Sequence, residues 1–359
     1  MVGSSIWRHL ENKGYSNLIG RSSKQLDLKD QEKVFRFFKE EKPDYVFIAA
    51  AKVGGILANK TFKADFIFNN IQIQNNIIHC SHVFNIKKLL FLGSSCIYPR
   101  NCPQPMKEKY LLTGGLEKTN ESYAIAKISG IKMCESYNFQ YGTNFISIMP
   151  TNLYGPNDNF DLKTSHVLPA LIRKIFIGKC LEESNINLIK KDLNKNSIDG
   201  LNGSESKNKI LEILKKNGFS FKIMSSGRKI DSNSVEISLW GTGEPFREFL
   251  HVDDLAKACV FAMKKINYSY FEEEDISHLN VGSSEEIKIK DLSSMIKKII
   301  GFKGKIIFDT SSDDGAPRKL LDTSKLNGIG WKSQISLKTG IKSTFLYYKS
   351  FLNNKISNI

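Results

Sequence analysis

Residues 88–96 read Lys88-Leu89-Leu90-Phe91-Leu92-Gly93-Ser94-Ser95-Cys96. A short apolar run closed by glycine and serine predicts a buried strand over Lys88–Ser94. Two other runs share this character, Tyr45–Ala51 and Asn144–Pro150. Amphipathic patterns between them predict helices at Gln31–Glu41, Asp65–Phe84 and Glu121–Gln140. Near-continuous apolar strands alternating with helices indicate an α/β fold built on a doubly wound parallel sheet.

Such folds usually open on a strand and a glycine-rich turn. This chain starts Met1-Val2-Gly3-Ser4-Ser5 and enters a helical pattern at once. The expectation is therefore a sheet lacking its first strand, with Gly3 as the last glycine of the turn. That loss would leave two neighbouring strands without backbone partners. The next strand is expected at Asn17–Gly20, followed by Arg21, Ser22, Ser23 and Lys24. Residues 182–234 form a polar insertion rich in Lys, Asn, Ser and Gly. Its first part reads as a solvated loop. A weak helix is expected at Lys209–Asn217 and a strand at Phe219–Met224. Further on, helices are expected at Asp254–Lys265 and Lys290–Ile300, and a strand at Lys305–Asp309. The pair Asp253-Asp254 reads as a cap for the helix after it.

The chain has 359 residues, 41% hydrophobic and 25% charged. That accommodates one large α/β domain and a smaller α/β lobe. No apolar run reaches the roughly 18–20 residues of a membrane span, and no signal-peptide pattern opens the chain. The six cysteines have no C-x-x-C or zinc-type spacing, so no metal site is expected and a reducing cytoplasm is. The net charge is +15, but the lysines are scattered and no basic helix carries interleaved aromatics. Nucleic-acid binding is not expected. A positive cleft for an anionic ligand is.

Chemistry concentrates where the strand ending Gly93-Ser94-Ser95 meets Tyr123-Ala124-Ile125-Ala126-Lys127. Tyr123 and Lys127 lie one helical turn apart on one face. An ammonium beside a phenol favours the phenolate, so Tyr123 is expected to have a lowered pKa and to act as acid or base. Ser94 can polarise the same carbonyl oxygen, and Lys127 can hold a nicotinamide ribose. This set suits hydride transfer, in which a carbonyl gains hydride on carbon and a proton on oxygen.

Several stretches together resemble the GDP-fucose synthases, a family of extended short-chain dehydrogenase/reductases with a Rossmann-type sheet. They are Ala49–Ile56, Leu92–Pro99, Thr119–Lys127, Met149–Phe160, Ser165–Val167, Trp240–Gly243, Arg247–Asp254 and Gly315–Lys319. The resemblance spans nearly the whole chain outside the insertion. It implies a homodimer joined through a helix bundle, for which Asp65–Phe84 and Glu121–Gln140 are the candidate helices. It implies an NADP-binding domain at 1–160 and a substrate-binding lobe at 161–181 and 235–359, the latter with some returning Rossmann elements.

The implied reaction epimerises GDP-4-dehydro-6-deoxy-D-mannose at C3 and C5, then reduces C4 with NADPH to give GDP-L-fucose. Both carbons flank the C4 ketone, so one base can serve both. The resemblance gives that role to Cys96 and makes His166 the acid. Ser94 and Tyr123 would stabilise the enolate and then assist reduction. For NADP(H) it implies Gly3, Leu92, Gly93, Ser94, Ser95, Lys127, Pro150, Thr151, Asn152, Leu153 and His166. Arg21 and Lys24 are the cations near the adenosine 2′-phosphate, and Ser23 stands where the family has arginine. For the substrate it implies Trp240, Arg247 on the pyrophosphate, Lys174 in place of the family's arginine, and Asp314. A nucleotide-sugar 4-epimerase or dehydratase shares Ser94, Tyr123 and Lys127 but needs no Cys96/His166 pair. An inactive relative is the alternative raised by the shortened glycine turn.

Overall fold

The computed structural model describes residues 1–225, 229–311 and 314–353. The chain separates into two units. One comprises Met1–Leu153, Glu248–Glu286 and Arg318–Ile335, and the other Tyr154–Arg247, Ile287–Pro317 and Ser336–Ile359.

The first unit is built on a parallel sheet of four strands, in the order Tyr45–Ile48, Lys88–Leu92, Phe145–Pro150, Leu279–Val281. Every residue of Lys88–Leu92 and of Phe145–Pro150 is buried. Side chains alternate across the pleat. Leu89 and Phe91 pack with Val34, Phe38, Ile77, Ile78, Ile128 and Ile131 from the helices on one face. Leu90 and Leu92 pack with Ile6, Leu255 and Cys259 on the other. Covering both faces explains why these strands carry no polar alternation.

The helices follow from local signals. Asp30 caps Gln31–Glu41 by accepting from Lys33 N at 3.1 Å. Gly142, with φ 64°, closes Glu121–Tyr141 in the left-handed region that glycine tolerates. Lys63–Val83 and Glu121–Tyr141 pack together, and Gln74 Nε2 donates to Ala126 O at 2.7 Å. A Cβ on Gly130 would overlap the Phe91 ring, so glycine lets its helix lie close on the sheet.

Residues 17–20 form no strand. Tyr45–Ile48 pairs with Lys88–Leu92, from Tyr45 opposite Lys88 to Ile48 opposite Phe91, and stands at the edge of the sheet, with a strand on one side only among the described residues. The helix Val2–Asn12 buries Ile6 in the core. Its Ser5 Oγ donates to Asp253 Oδ1 at 2.5 Å, and Arg8 pairs with the same oxygen at 3.0 Å. Asp253 therefore anchors the N-terminal helix. The cap of Val252–Lys265 is His251, which accepts from Asp253 N at 3.3 Å.

In the second unit the strands Lys305–Asp309, Glu236–Trp240 and Phe219–Ser220 make a sheet in that order, the first pair parallel and the second antiparallel. The expected solvated loop holds the helix Ile186–Lys195 instead, the helix Lys207–Lys216 falls where the weak helix Lys209–Asn217 was expected, and 226–228 lie outside the described residues. Ile189 and Leu193 are buried one turn apart, a spacing that the lysine-rich composition masks, and Ile210, Leu211 and Leu214 are the buried face of the second helix. Asp192 meets the fully buried Arg173 of Val167–Glu182 at 2.8 Å, and the Tyr348 hydroxyl also donates to Asp192. The insertion thus supplies half of a core ion pair.

Candidate active site

In the first unit the strand Lys88–Leu92 delivers Gly93 and Ser94 to the carboxyl end of the sheet, where open α/β folds place ligands. A Cβ on Gly93 would overlap the Met149 thioether, so this crossing requires glycine. Ser94 then starts the short helical turn Ser95–Ile97, its Oγ accepting from Cys96 N at 3.3 Å. That turn holds Cys96 beside the start of Glu121–Tyr141. Asn120 Nδ2 donates to Cys96 Sγ at 3.1 Å.

Tyr123 is half-buried with its ring edge-on to Phe66, 6.2 Å between centroids. Burial pushes its phenol well above the ordinary tyrosine value. A negative charge on Cys96 adds to the rise, while a hydrogen bond with Ser94 pulls the other way. Ser94, Cys96 and Tyr123 therefore share one locality. Lys127 is buried one turn on, where Nζ donates to Leu92 O at 2.8 Å and lies 4.9 Å from the Phe91 ring centroid. Burial lowers its pKa to about 8.

The expected lowering of the Tyr123 pKa by Lys127 is not found. The ammonium is drawn toward the end of the strand and sits 5.9 Å from the phenol ring centroid. Burial is the largest influence on the phenol's pKa. The sequence marks Asn120 for no catalytic role. A position just before a helix signals a cap, and nothing in the sequence tells a cap from a thiol contact.

Close by, Thr151 N donates to Val281 O at 3.0 Å, and Asn152 Nδ2 to Glu248 O at 2.9 Å. These bonds fix the segment from Pro150 to Leu153. Gly3 lies in the first turn of Val2–Asn12, its Cβ direction 3.7 Å from the Ala49 Cβ. Arg21 is paired with Glu41 and stacks over Phe37 at 5.5 Å. It shares a depression with Gln25, Lys33, Arg36 and Glu40. Lys24, the other expected cation, is exposed and does not line that depression.

In the second unit His166 is exposed at the N-cap of Val167–Glu182, and packing around it lowers its pKa. Lys174, half-buried on that helix, lies 5.7 Å from the Phe219 ring centroid, and burial lowers its pKa to about 8. Trp240 is 64% exposed at its strand end. The turn after it is braced by Asp314, whose carboxylate accepts from Thr242 N at 3.0 Å and Thr242 Oγ1 at 2.5 Å. Asp314 therefore shapes the turn beside Trp240. Arg247 Nη1 bonds to Phe246 O at 2.7 Å. Among the described residues no cluster of His, Cys, Asp or Glu could hold a metal ion, and no helix is long and apolar enough to cross a membrane.

A parallel sheet ending in Gly-Ser-Ser, with a Tyr-x-x-x-Lys helix beside it, defines a dinucleotide-dependent oxidoreductase of the short-chain dehydrogenase/reductase class. The model of the NAD dependent epimerase/dehydratase family matches residues 1–195 and 216–282, and the chain belongs to that family. Within it, the chain is 48% identical over 348 residues to a putative GDP-L-fucose synthase 2 of Arabidopsis thaliana, covering 97% of this chain and 88% of that one. It is 43% identical over 357 residues to the GDP-L-fucose synthase of Escherichia coli K12, covering 99% and 94%. Among solved structures it resembles a GDP-mannoheptose C4 reductase from Campylobacter jejuni with NADP bound. That match has a TM-score of 0.81 and 41% identity, covering 97% and 95%.

The residues fit a dinucleotide. Gly93 leaves the strand end bare of a side chain. Lys127 brings a buried ammonium held by a main-chain carbonyl and a ring face, suited to ribose hydroxyls. The N-terminus of Val2–Asn12 carries the positive end of a helix dipole, which favours a pyrophosphate.

Proposed function

We propose that the chain converts GDP-4-dehydro-6-deoxy-D-mannose to GDP-L-fucose, epimerising C3 and C5 and then reducing C4 with NADPH. The carrying observation is the grouping of the Ser94 hydroxyl, the Cys96 thiol and the Tyr123 phenol at one strand end. NADP(H), when bound, supplies hydride to C4. Cys96 takes the proton from C3 or C5, and the C–H electron pair flows to the C4 oxygen as an enolate. Ser94 and Tyr123 donate hydrogen bonds to that oxygen. His166 returns a proton to carbon. In the reduction Tyr123 gives its proton to the C4 oxygen as the alkoxide forms, and Lys127 orients the ribose. Gly3, Leu92, Gly93, Ser95 and Pro150–Leu153 line the cofactor, and Arg21 and Lys24 attract its 2′-phosphate. Trp240, Arg247, Lys174 and Asp314 serve the GDP moiety.

The test incubates the protein with the 4-keto sugar and NADPH in D2O. Stoichiometric NADPH oxidation with deuterium at both C3 and C5 of the product supports the reading. NADPH oxidation without deuterium at either carbon supports a C4 reductase, a second reading favoured by the Campylobacter relative. No oxidation sinks both.

A homodimer and a cytoplasmic setting belong to the same proposal. Phe68 and Phe139, 64% and 88% exposed, offer apolar surface on Lys63–Val83 and Glu121–Tyr141. All six cysteines are free thiols. Light scattering on Phe139→Asp is expected to report monomers where the parent chain gives dimers.

A further inference from the structure

We infer that Asn120 positions the Cys96 thiol and favours its thiolate form, a role that rests on the reading of Cys96 as the base. Asn120 occupies the N-cap of Glu121–Tyr141, where asparagine is among the best residues because its side-chain oxygen can accept from the first turn. Here it makes no such bond. The side chain turns instead to Cys96, with Nδ2 3.1 Å from Sγ. Its Oδ1 is buried with no hydrogen-bond partner. A residue serving stability would use that oxygen as a cap, since an unpaired buried acceptor is costly. This one forgoes the cap and presents a donor to sulfur.

An amide N–H can only donate, so the contact is stronger when sulfur carries charge. It thereby favours the state that can remove a proton from C3 or C5, forming an S–H bond while the C–H pair moves into the enolate. The Ser94 Oγ contact to Cys96 N fixes the turn from the other side. Asn120 thus acts through Cys96 and is a positioning residue.

The test uses the full chain with Asn120→Ala and Asn120→Asp. The alkylation rate of Cys96 by iodoacetamide is followed against pH by mass spectrometry of the tryptic peptide Leu89–Arg100, which excludes Cys102. The pH of half-maximal reactivity is expected to rise by about one unit in Asn120→Ala. It should rise further in Asn120→Asp, which puts a carboxylate where the donor was. A merely structural role predicts no change of midpoint in Asn120→Ala. An unmoved midpoint in Asn120→Ala, with melting temperature retained, overturns the inference. The base assignment is tested separately. Cys96→Ser that still exchanges C3 and C5 hydrogens removes Cys96 as the base, whatever the alkylation result.

Discussion

Lys127→Met should stabilise the protein at neutral pH while disabling it. Lys127 is 4% exposed, and burial lowers its pKa from the ordinary 10.5 to about 8. At about 1.36 kcal/mol per unit, that shift of roughly 2.5 units means about 3.4 kcal/mol held against the folded state when the amine is charged. The bond to Leu92 O returns about 1 kcal/mol and the contact over Phe91 about 1 kcal/mol. Methionine removes all of these, so a net gain of about 1.4 kcal/mol is expected, or roughly 3–6 °C in melting temperature. The sign follows from linkage. The folded pKa is depressed, so between about 8 and 10.5 the unfolded chain binds more protons and stability rises with pH. Below about pH 8 both states are protonated and the full penalty applies. The advantage of Lys127→Met should therefore shrink by about 1.4 kcal/mol between pH 7 and pH 9. Urea unfolding of both proteins at the two pH values measures it. NADPH oxidation with the 4-keto sugar should fall at least about a hundredfold. A variant less stable than the parent at pH 7, or an advantage that does not change with pH, would refute the reasoning.

Tyr123→Phe should lower the rate of NADPH oxidation by about 10²–10⁴-fold. Deuterium exchange at C3 and C5 should slow less, because Ser94 still donates to the enolate; equal losses in the two assays would contradict the division of labour. Asp192→Ala strands the guanidinium of Arg173, which has no solvent exposure, so a loss of about 3–5 kcal/mol is expected. Scanning calorimetry should place its transition roughly 6–20 °C lower. A shift within about 2 °C would mean that the segment at 182–234 is not part of the core.

The sheet and its flanking helices were legible because burial on both faces leaves an unbroken apolar run. Gln31–Glu41 begins after its Asp30 cap and ends where the sequence pattern predicts. Lys88–Leu92 and Phe145–Pro150 sit inside their predicted runs. What composition hid was the helix Ile186–Lys195 in the first part of 182–234, where Ile189 and Leu193 are buried one turn apart among lysines, while the helix expected at Lys209–Asn217 is found at Lys207–Lys216. Sequence gave no warning that Tyr45–Ile48 pairs with Lys88–Leu92, because pairing order is a long-range choice. The candidate catalytic residues were legible as types in a pattern, but their charge states were not. Whether an ammonium acts on a phenol depends on where it points, and Leu92 O lies nearer than the phenol ring.

That direction changes which proton matters. Burial keeps Tyr123 protonated at neutral pH, which is the state a reduction needs, since the nascent C4 alkoxide must receive a proton. Lys127, by contrast, loses its charge at about pH 8. Charge on Lys127 orients the ribose through hydrogen bonds, so kcat/KM for reduction should be flat below that value and fall about tenfold per unit above it. The tyrosine cannot set this limb, because its pKa lies well above. Lys127→Arg separates the two groups. A guanidinium does not deprotonate in this range, so the limb should vanish even though the bulkier head lowers the plateau. If the same limb survives in Lys127→Arg, the titrating group is not Lys127, and its partition from Tyr123 in this site is wrong.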